Sequence, residues 1–268
     1  MKILITNDDG IDAEGIQILA LALFKDGFDV TIVAPKEDSS GAGAGVGQVY
    51  LNTNSIRYDK VSIPGLEDIE AYSIDALPAM TVLAGFLGFL EFLPDIVISG
   101  INNGLNVGRS SLHSGTVGAA LTSQHFCVPS IAVSTEWDER PIFESAATIT
   151  CELIRAINAG TFNLAQKKIT LNLNVPSKPL DAIKGVKITK LSNYGLIKAV
   201  NRNSDTSTLN LDLTPHDFDH NDETDIAALR SGYASVTPIE TVKHSSHEGL
   251  ITNINNLIQP VWDRSIMK

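Results

Sequence analysis

Apolar residues along this chain fall into two recurring patterns, short strand-length runs and helically spaced sets. Ile3, Leu4 and Ile5 form the first run, residues 28–34 a second that stops at Pro35, and residues 94–100 a third around Ile96, Val97 and Ile98. The first, with no room for polar alternation, predicts a strand buried on both faces, as inside a parallel sheet, and the other two predict further strands. Between the first two, Ile16, Leu19, Ala20 and Leu23 recur at helical spacing, and Gly27 is placed to cap the helix. Strand, helix and strand in that order make a βαβ unit with a right-handed crossover. The fold class is therefore α/β, a mainly parallel sheet flanked by helices.

The pattern continues with short strands and turns over residues 49–74 and an apolar helix over 77–90. A loop over 101–108, a helix opening at Ser114, a strand at 130–134 and a helix over 143–157 follow. Residues 169–175, 186–191 and 233–238 predict strands, 208–213 shows partial alternation, and 250–258 predicts a closing amphipathic helix. No repeat or low-complexity linker marks a boundary. Residues 1–180 form the expected core and 181–268 an extension.

Composition narrows the classes. With 43% hydrophobic and 19% charged residues the chain predicts a filled core rather than disorder. A net charge of −11 argues against a nucleic-acid polymer as partner, because phosphate-backbone binding needs clustered Lys and Arg. A small phosphate ester held by a metal ion stays compatible. Cys127 and Cys151 have no metal or redox spacing and predict a reduced pair. The uncharged apolar stretch of residues 76–90, between Asp75 and Glu91, is shorter than the ~20 residues of a membrane span. A soluble, cytoplasmic protein is expected.

Candidate chemistry concentrates at strand ends. Asp8 and Asp9 follow the first strand, where ligands bind in open α/β sheets, and Gly10 breaks the backbone so that both can converge. Two hard anionic donors there suit a Mg²⁺-like or Mn²⁺-like ion, although Asn7 to Gly10 also reads as a plain turn. Gly41, Gly43, Gly45 and Gly47 fail the dinucleotide fingerprint, since Val46 and Gln48 stand where G-x-G-x-x-G requires glycine. What that loop offers is Ser39 and Ser40. Residues 101–108, dense in Asn and Gly, can aim amides at an anion, and Ser114, Gly115 and Thr116 open a helix whose free amides suit phosphate. A surface turn and an ordinary N-cap are the plainer meanings of those two stretches. His216, Asp217, Asp219, His220 and Asp222 read as a solvated acidic loop, and His244 and His247 as surface.

In this order the segments resemble the SurE family, survival-protein-E-like 5′/3′-nucleotidases with acid phosphatase activity. The resemblance rests on Asn7-Asp8-Asp9-Gly10-Ile11 with Gly15-Ile16, Ala34-Pro35 with Ser40-Gly41, and Ser99-Gly100-Ile101-Asn102 with Gly104 and Asn106. Ser114-Gly115-Thr116-Val117, Thr224-Asp225 and Gly232-Tyr233 to Pro238 complete it. It implies a Rossmann-like core, a divalent cation and hydrolysis of nucleoside monophosphates. Metal ligands would fall on Asp8, Asp9, Ser40 and Asn102, and phosphate contacts on Asn106, Ser114, Gly115 and Thr116. It also implies a homodimer or homotetramer built through a C-terminal hairpin, expected within residues 186–213. Ala76 to Met80 depart from the family's Gly-Thr-Pro-Ala-Asp-like segment, and His113 replaces its usual tyrosine.

The expected reaction is attack on phosphate by a metal-activated water, with Asp8 or Asp9 taking its proton. Direct attack by Asp8 is the alternative route. The rival reading from another class is a nucleotide-binding regulator without turnover, motivated by the two departures.

Overall fold

The computed structural model describes residues 1–47, 55–160, 169–195, 199–203, 206–212 and 222–241. Its strands are β1 (Lys2–Thr6), β2 (Asp29–Pro35), β3 (Tyr58–Val61), β4 (Glu70–Ile74), β5 (Ile96–Asn103), β6 (Ser130–Thr135) and β7 (Thr170–Val175). After these come β8 (Val186–Ile188), β9 (Ala199–Asn203), β10 (Thr208–Asp212) and β11 (Ala234–Ile239). The helices are α1 (Glu14–Lys25), α2 (Pro78–Ala84), α3 (Gly115–Thr122), α4 (Phe143–Asn158) and α5 (Asp225–Arg230).

Nine strands form one sheet in the order β3-β4-β2-β1-β5-β6-β7-β11-β8. The six from β4 to β7 in this order run parallel, with β3 and β11 antiparallel to their neighbours β4 and β7. The chain leaves β1 toward β2 and later returns on its other side as β5, so strand order reverses at β1/β5. In open α/β sheets that reversal opens a crevice at the carboxyl edge.

The alternation along β1 shows why its apolar run is unbroken. Ile3 and Ile5 pack with Ile16, Leu19 and Leu23 of α1 and Ile154 of α4 on one face. Leu4 packs with Val82 and Phe86 on the other. The α1 face is the set that helical spacing predicts, and Gly27 ends the helix at a left-handed φ of 82°.

Three elements differ from expectation. The helix expected over 77–90 is regular only to Ala84, then widens over Gly85–Phe89 with non-helical backbone at Leu87 and Gly88. Gly85 lies hard against β1, where an added Cβ would come within 2.8 Å of Leu4 Cδ2, and Gly88 takes a φ of 109°. The third core strand does not stop at Gly100 but runs on as β5 to Asn103. Its register against β6 shifts between Ser99 and Asn102, and the Gly100–Ile101 peptide is cis. Such a bulge re-aims the side chains beyond it. The stretch 186–191 yields only the short edge strand β8, parallel to β11, so the antiparallel hairpin within 186–213 is β9 with β10.

Cys127 and Cys151 are free thiols, as expected of a reduced pair. Among the described residues no helix is long and apolar enough to cross a membrane. His216, Asp217, Asp219, His220, His244, His247 and the helix expected over 250–258 lie outside the described residues.

Gly15 sets how closely α1 approaches the bulge, because a Cβ there would fall 2.0 Å from the Ile101 carbonyl oxygen. Gly15→Ala should therefore destabilise the protein by about 1–3 kcal/mol, the usual cost of overpacking. A urea-unfolding midpoint equal to that of the unsubstituted protein would contradict this packing.

Candidate active site

The turn after β1 is locked from three sides. The Asn7 side-chain amide donates to the Gly10 carbonyl at 2.8 Å. The Ile11 amide donates to the carbonyl of Pro35 at the end of β2, and the Ser39 amide donates to the Asp8 carbonyl at 2.7 Å. Gly10 takes a φ of 97°, which a side chain would resist, with Lys36 and Glu37 packed beside it. This geometry turns the chain sharply enough for two consecutive aspartates to reach the same crevice.

Asp8 is 3% exposed. Thr116 gives it both a hydroxyl, 2.5 Å from Oδ1, and a backbone N–H. Gly115 allows this contact, since a Cβ there would sit 2.7 Å from Asp8 Cβ and 2.8 Å from Oδ2. The Ser114 hydroxyl caps α3 by accepting from the Val117 amide at 3.1 Å. The start of α3 is thereby fixed beside a buried carboxylate.

Behind Thr116 stands Asn106, which is buried and extensively hydrogen-bonded. Its side-chain amide donates to Ser134 Oγ at 2.8 Å and to Thr116 Oγ1 at 3.4 Å. Its carbonyl accepts from Ser111, Asn172 and Asn174, and its backbone N–H donates to Asn174 Oδ1. Asp225 secures the next stretch from the far end of the chain, accepting from the amides of Gly108, Ser192 and Ile226.

The remaining expected residues sit on neighbouring elements. Asn102 lies past the β5 bulge, and its amide nitrogen donates to the Gly104 carbonyl at 2.6 Å. Ser40 is exposed and donates its hydroxyl to Asp38 Oδ1 at 2.6 Å. Its loop lies across α3, for the Gly43 amide donates to the His113 carbonyl and Gly118 has no room for a Cβ beside Gly43. Direct contacts thus join Asp8, Gly115, Thr116 and Asn106, whereas the hydrogen bonds of Ser40 and Asn102 go elsewhere.

Both aspartates hold protons more tightly than usual. Burial raises Asp8 most, offset by the two Thr116 bonds, and the Asp38 charge adds to the rise. Burial likewise pushes Asp9 up to about 7, helped by the charges of Asp8 and Asp38 and opposed by the Asn103 backbone N–H. Among the described residues these three carboxylates have no ion-pair partner, which leaves the site short of positive charge. Among the described residues no group of three or more His, Cys, Asp or Glu is placed to hold a metal ion.

Ser134, Asn172, Asn174 and the role of Asp225 do not follow from the motif reading. The available signal was alternation: Asn172 and Asn174 interleave with Leu171, Leu173 and Val175 on a wholly buried strand. Polar side chains buried at every second position need partners, and these partners are Asn106 and its loop.

Three comparisons bear on this arrangement. The family model described as "Survival protein SurE" matches residues 3–196. A "5'-nucleotidase SurE" of Mannheimia succiniciproducens is 38% identical over 243 residues, 90% of this chain and 92% of that one. One of the same name from Legionella pneumophila (strain Paris) is 33% identical over 264 residues, 97% and 98% of the two chains. Among solved structures, the SurE protein from Aquifex aeolicus superposes with a TM-score of 0.79 at 28% identity, covering 96% of this chain and 99% of its own. With its β1/β5 crevice, paired aspartates and α3 start, the chain belongs to the SurE family.

Proposed function

We propose that this chain is a metal-dependent phosphomonoesterase that hydrolyses nucleoside 5′- and 3′-monophosphates to nucleoside and phosphate. The observation that carries the reading is the charge-deficient pair Asp8 and Asp9, held at the sheet's topological switch point beside the start of α3. The relatives' name, 5′-nucleotidase, supplies the substrate class.

The donor set fits a hard divalent ion such as Mg²⁺ or Mn²⁺. Asp8 and Asp9 would hold it through carboxylate oxygens, and Ser40 and Asn102 through neutral ones. Asn102 spends its nitrogen on Gly104, which reserves Oδ1 for another partner, and Asn7 Oδ1 is buried without any donor. When bound, the ion would neutralise phosphate charge and make water a better nucleophile.

The protein's own groups then divide the work. Thr116 orients Asp8 through two hydrogen bonds, and Asn106 orients Thr116. The amides at the start of α3, at Ser114 and Gly115, are placed to receive phosphate oxygens and steady their charge as the ester breaks. Asp9 is less enclosed than Asp8 and suits proton acceptance from the attacking water.

The β9–β10 hairpin supports a homodimer or homotetramer. Val200, Arg202, Leu209 and Leu211 share one of its faces, and those three apolar side chains are 52%, 66% and 54% exposed for Val200, Leu209 and Leu211 respectively. A two-stranded ribbon is marginal by itself, so this face calls for cover from another copy.

The direct test is phosphate release from a panel of nucleoside 5′- and 3′-monophosphates, with chelator and then with Mg²⁺ or Mn²⁺ restored. Release that chelator abolishes and the ion rescues is expected. Chelator-resistant release would overturn the metal role, and binding without release would favour the regulator.

Asp9→Asn should lower turnover about 100-fold or more and weaken metal binding while the fold persists. Near-normal turnover at saturating metal would refute that assignment.

Asp9 also sets a pH dependence. Its folded value of about 7 lies above its ordinary 3.8, so folding favours the protonated form. Its contribution to the stability of metal-free protein is present below about pH 4 and lost as pH rises through about 7. The thermal midpoint of chelated protein should therefore drop between about pH 4 and 7. Asp9→Asn should flatten that drop, and an ion should counter it by favouring the ionised form. A slope unchanged by Asp9→Asn would show that another group is responsible.

A further inference from the structure

Trp137 is the second residue past the end of β6 and is 66% exposed. A single exposed apolar side chain is ordinary on a protein surface. The backbone on either side of this one is not ordinary. The Glu136 amide donates to the Val175 carbonyl on β7 at 2.9 Å. Asp138 is held by a reciprocal pair with the Asn103 side chain, whose Nδ2 donates to the Asp138 carbonyl at 3.1 Å and whose Oδ1 accepts from the Asp138 amide at 3.2 Å. The ring is thus presented to solvent from a backbone fixed at both neighbours.

Asn103 links that clamp to the chemistry. Its backbone N–H donates to Asp9, and Asn102, a candidate ion ligand, precedes it. One residue therefore touches Asp9 with its main chain and fixes the Trp137 loop with its side chain. Among the described residues Tyr58 is the other large exposed aromatic at the carboxyl edge, but it packs edge-on against Tyr72 and Phe89. It also stands three strands from β1, whereas β6 adjoins β5 directly.

We propose that Trp137 is the platform on which the base of the nucleotide stacks, making it a specificity residue for esters that carry a nucleobase. This rests on the nucleotidase reading and deepens it. A phosphate seated by Asp8, Asp9 and the start of α3 directs the rest of the ester outward, along the carboxyl edge. A flat aromatic surface there suits any base, because every base has a π-face. Selection by stacking is sequence-tolerant, so it separates nucleotides from base-free phosphates rather than one base from another.

Two measurements on the full-length, metal-loaded protein test this. Adenosine carries the base but no ester, so binding is read without turnover. It should quench tryptophan emission saturably where ribose does not, and Trp137→Phe should abolish the quench although Trp262 remains. In turnover, Trp137→Ala should reduce the ratio of kcat/KM for adenosine 5′-monophosphate over ribose 5-phosphate by about five-fold or more. That loss should appear in KM rather than kcat, and Trp137→Phe should restore the ratio. A quench that survives Trp137→Phe, or a ratio unmoved by Trp137→Ala, overturns the proposal. If no ester is cleaved at all, the nucleotidase reading fails, and the adenosine quench decides the stacking site separately.

Discussion

Burying the Asp8 carboxylate at the end of β1 is the constraint on which the carboxyl edge of this protein depends. A carboxylate taken out of water is costly unless hydrogen-bonded donors or a cation meet it. Thr116 supplies two donors and Gly115 supplies the space. Thr116 in turn is oriented by Asn106, and Asn106 is held by Ser111, Asn172 and Asn174. A chain of mutual satisfaction runs from β1 through α3 to β7, and no member is placed by its own segment alone. What the network leaves unmet is positive charge, felt by Asp9 as well as Asp8. That residue of unmet charge is the physical link between the fold and a reaction on a phosphate ester.

Close backbone approach makes the network compact. Gly100 meets β6, where a Cβ would lie 2.2 Å from the Val133 carbonyl oxygen, and Gly108 meets the Tyr194 carbonyl at 2.1 Å in the same sense. Each contact would be closed to any side chain. Together they allow β5 to bulge, the loop after it to fold back, and Asp225 to reach the Gly108 amide from 117 residues away. The later part of the chain therefore supports the site, and α5 and β11 do more than extend the sheet.

The two departures from the family pattern fall where the side chain matters less than the backbone. His113 is exposed and closes the 3-10 turn Gly108–His113, and its carbonyl accepts from the Gly43 amide. Any residue can supply that carbonyl. In the stretch from Ala76 to Met80, Pro78 opens α2 at a position where proline's missing N–H costs nothing. The hydroxyl of Thr81, one turn on, bonds the Pro78 carbonyl and Thr6. Neither departure touches the Asp8 network.

Local patterning by itself determined the class of fold, the first βαβ unit, the helix face of Ile16, Leu19 and Leu23, and the place of Asp8 and Asp9 at a strand end. These follow from side-chain periodicity and from where strands terminate, which are properties of neighbouring residues. Resemblance singled out Asn102 and Asn106 and gave Ser40 and the start of α3 their metal and phosphate roles, because an ordered set of motifs identifies a family where one motif cannot. Tertiary structure alone decided that β5 runs past Gly100 and that Thr116 is committed to Asp8. It also decided that Asn172, Asn174 and Asp225 brace the site, and that Asn103 joins Asp9 to the Trp137 loop. Each of these is a hydrogen bond or close contact between residues far apart in the chain. Periodicity records which face a residue takes, but the partner it meets there is set only when strands from distant segments come into register.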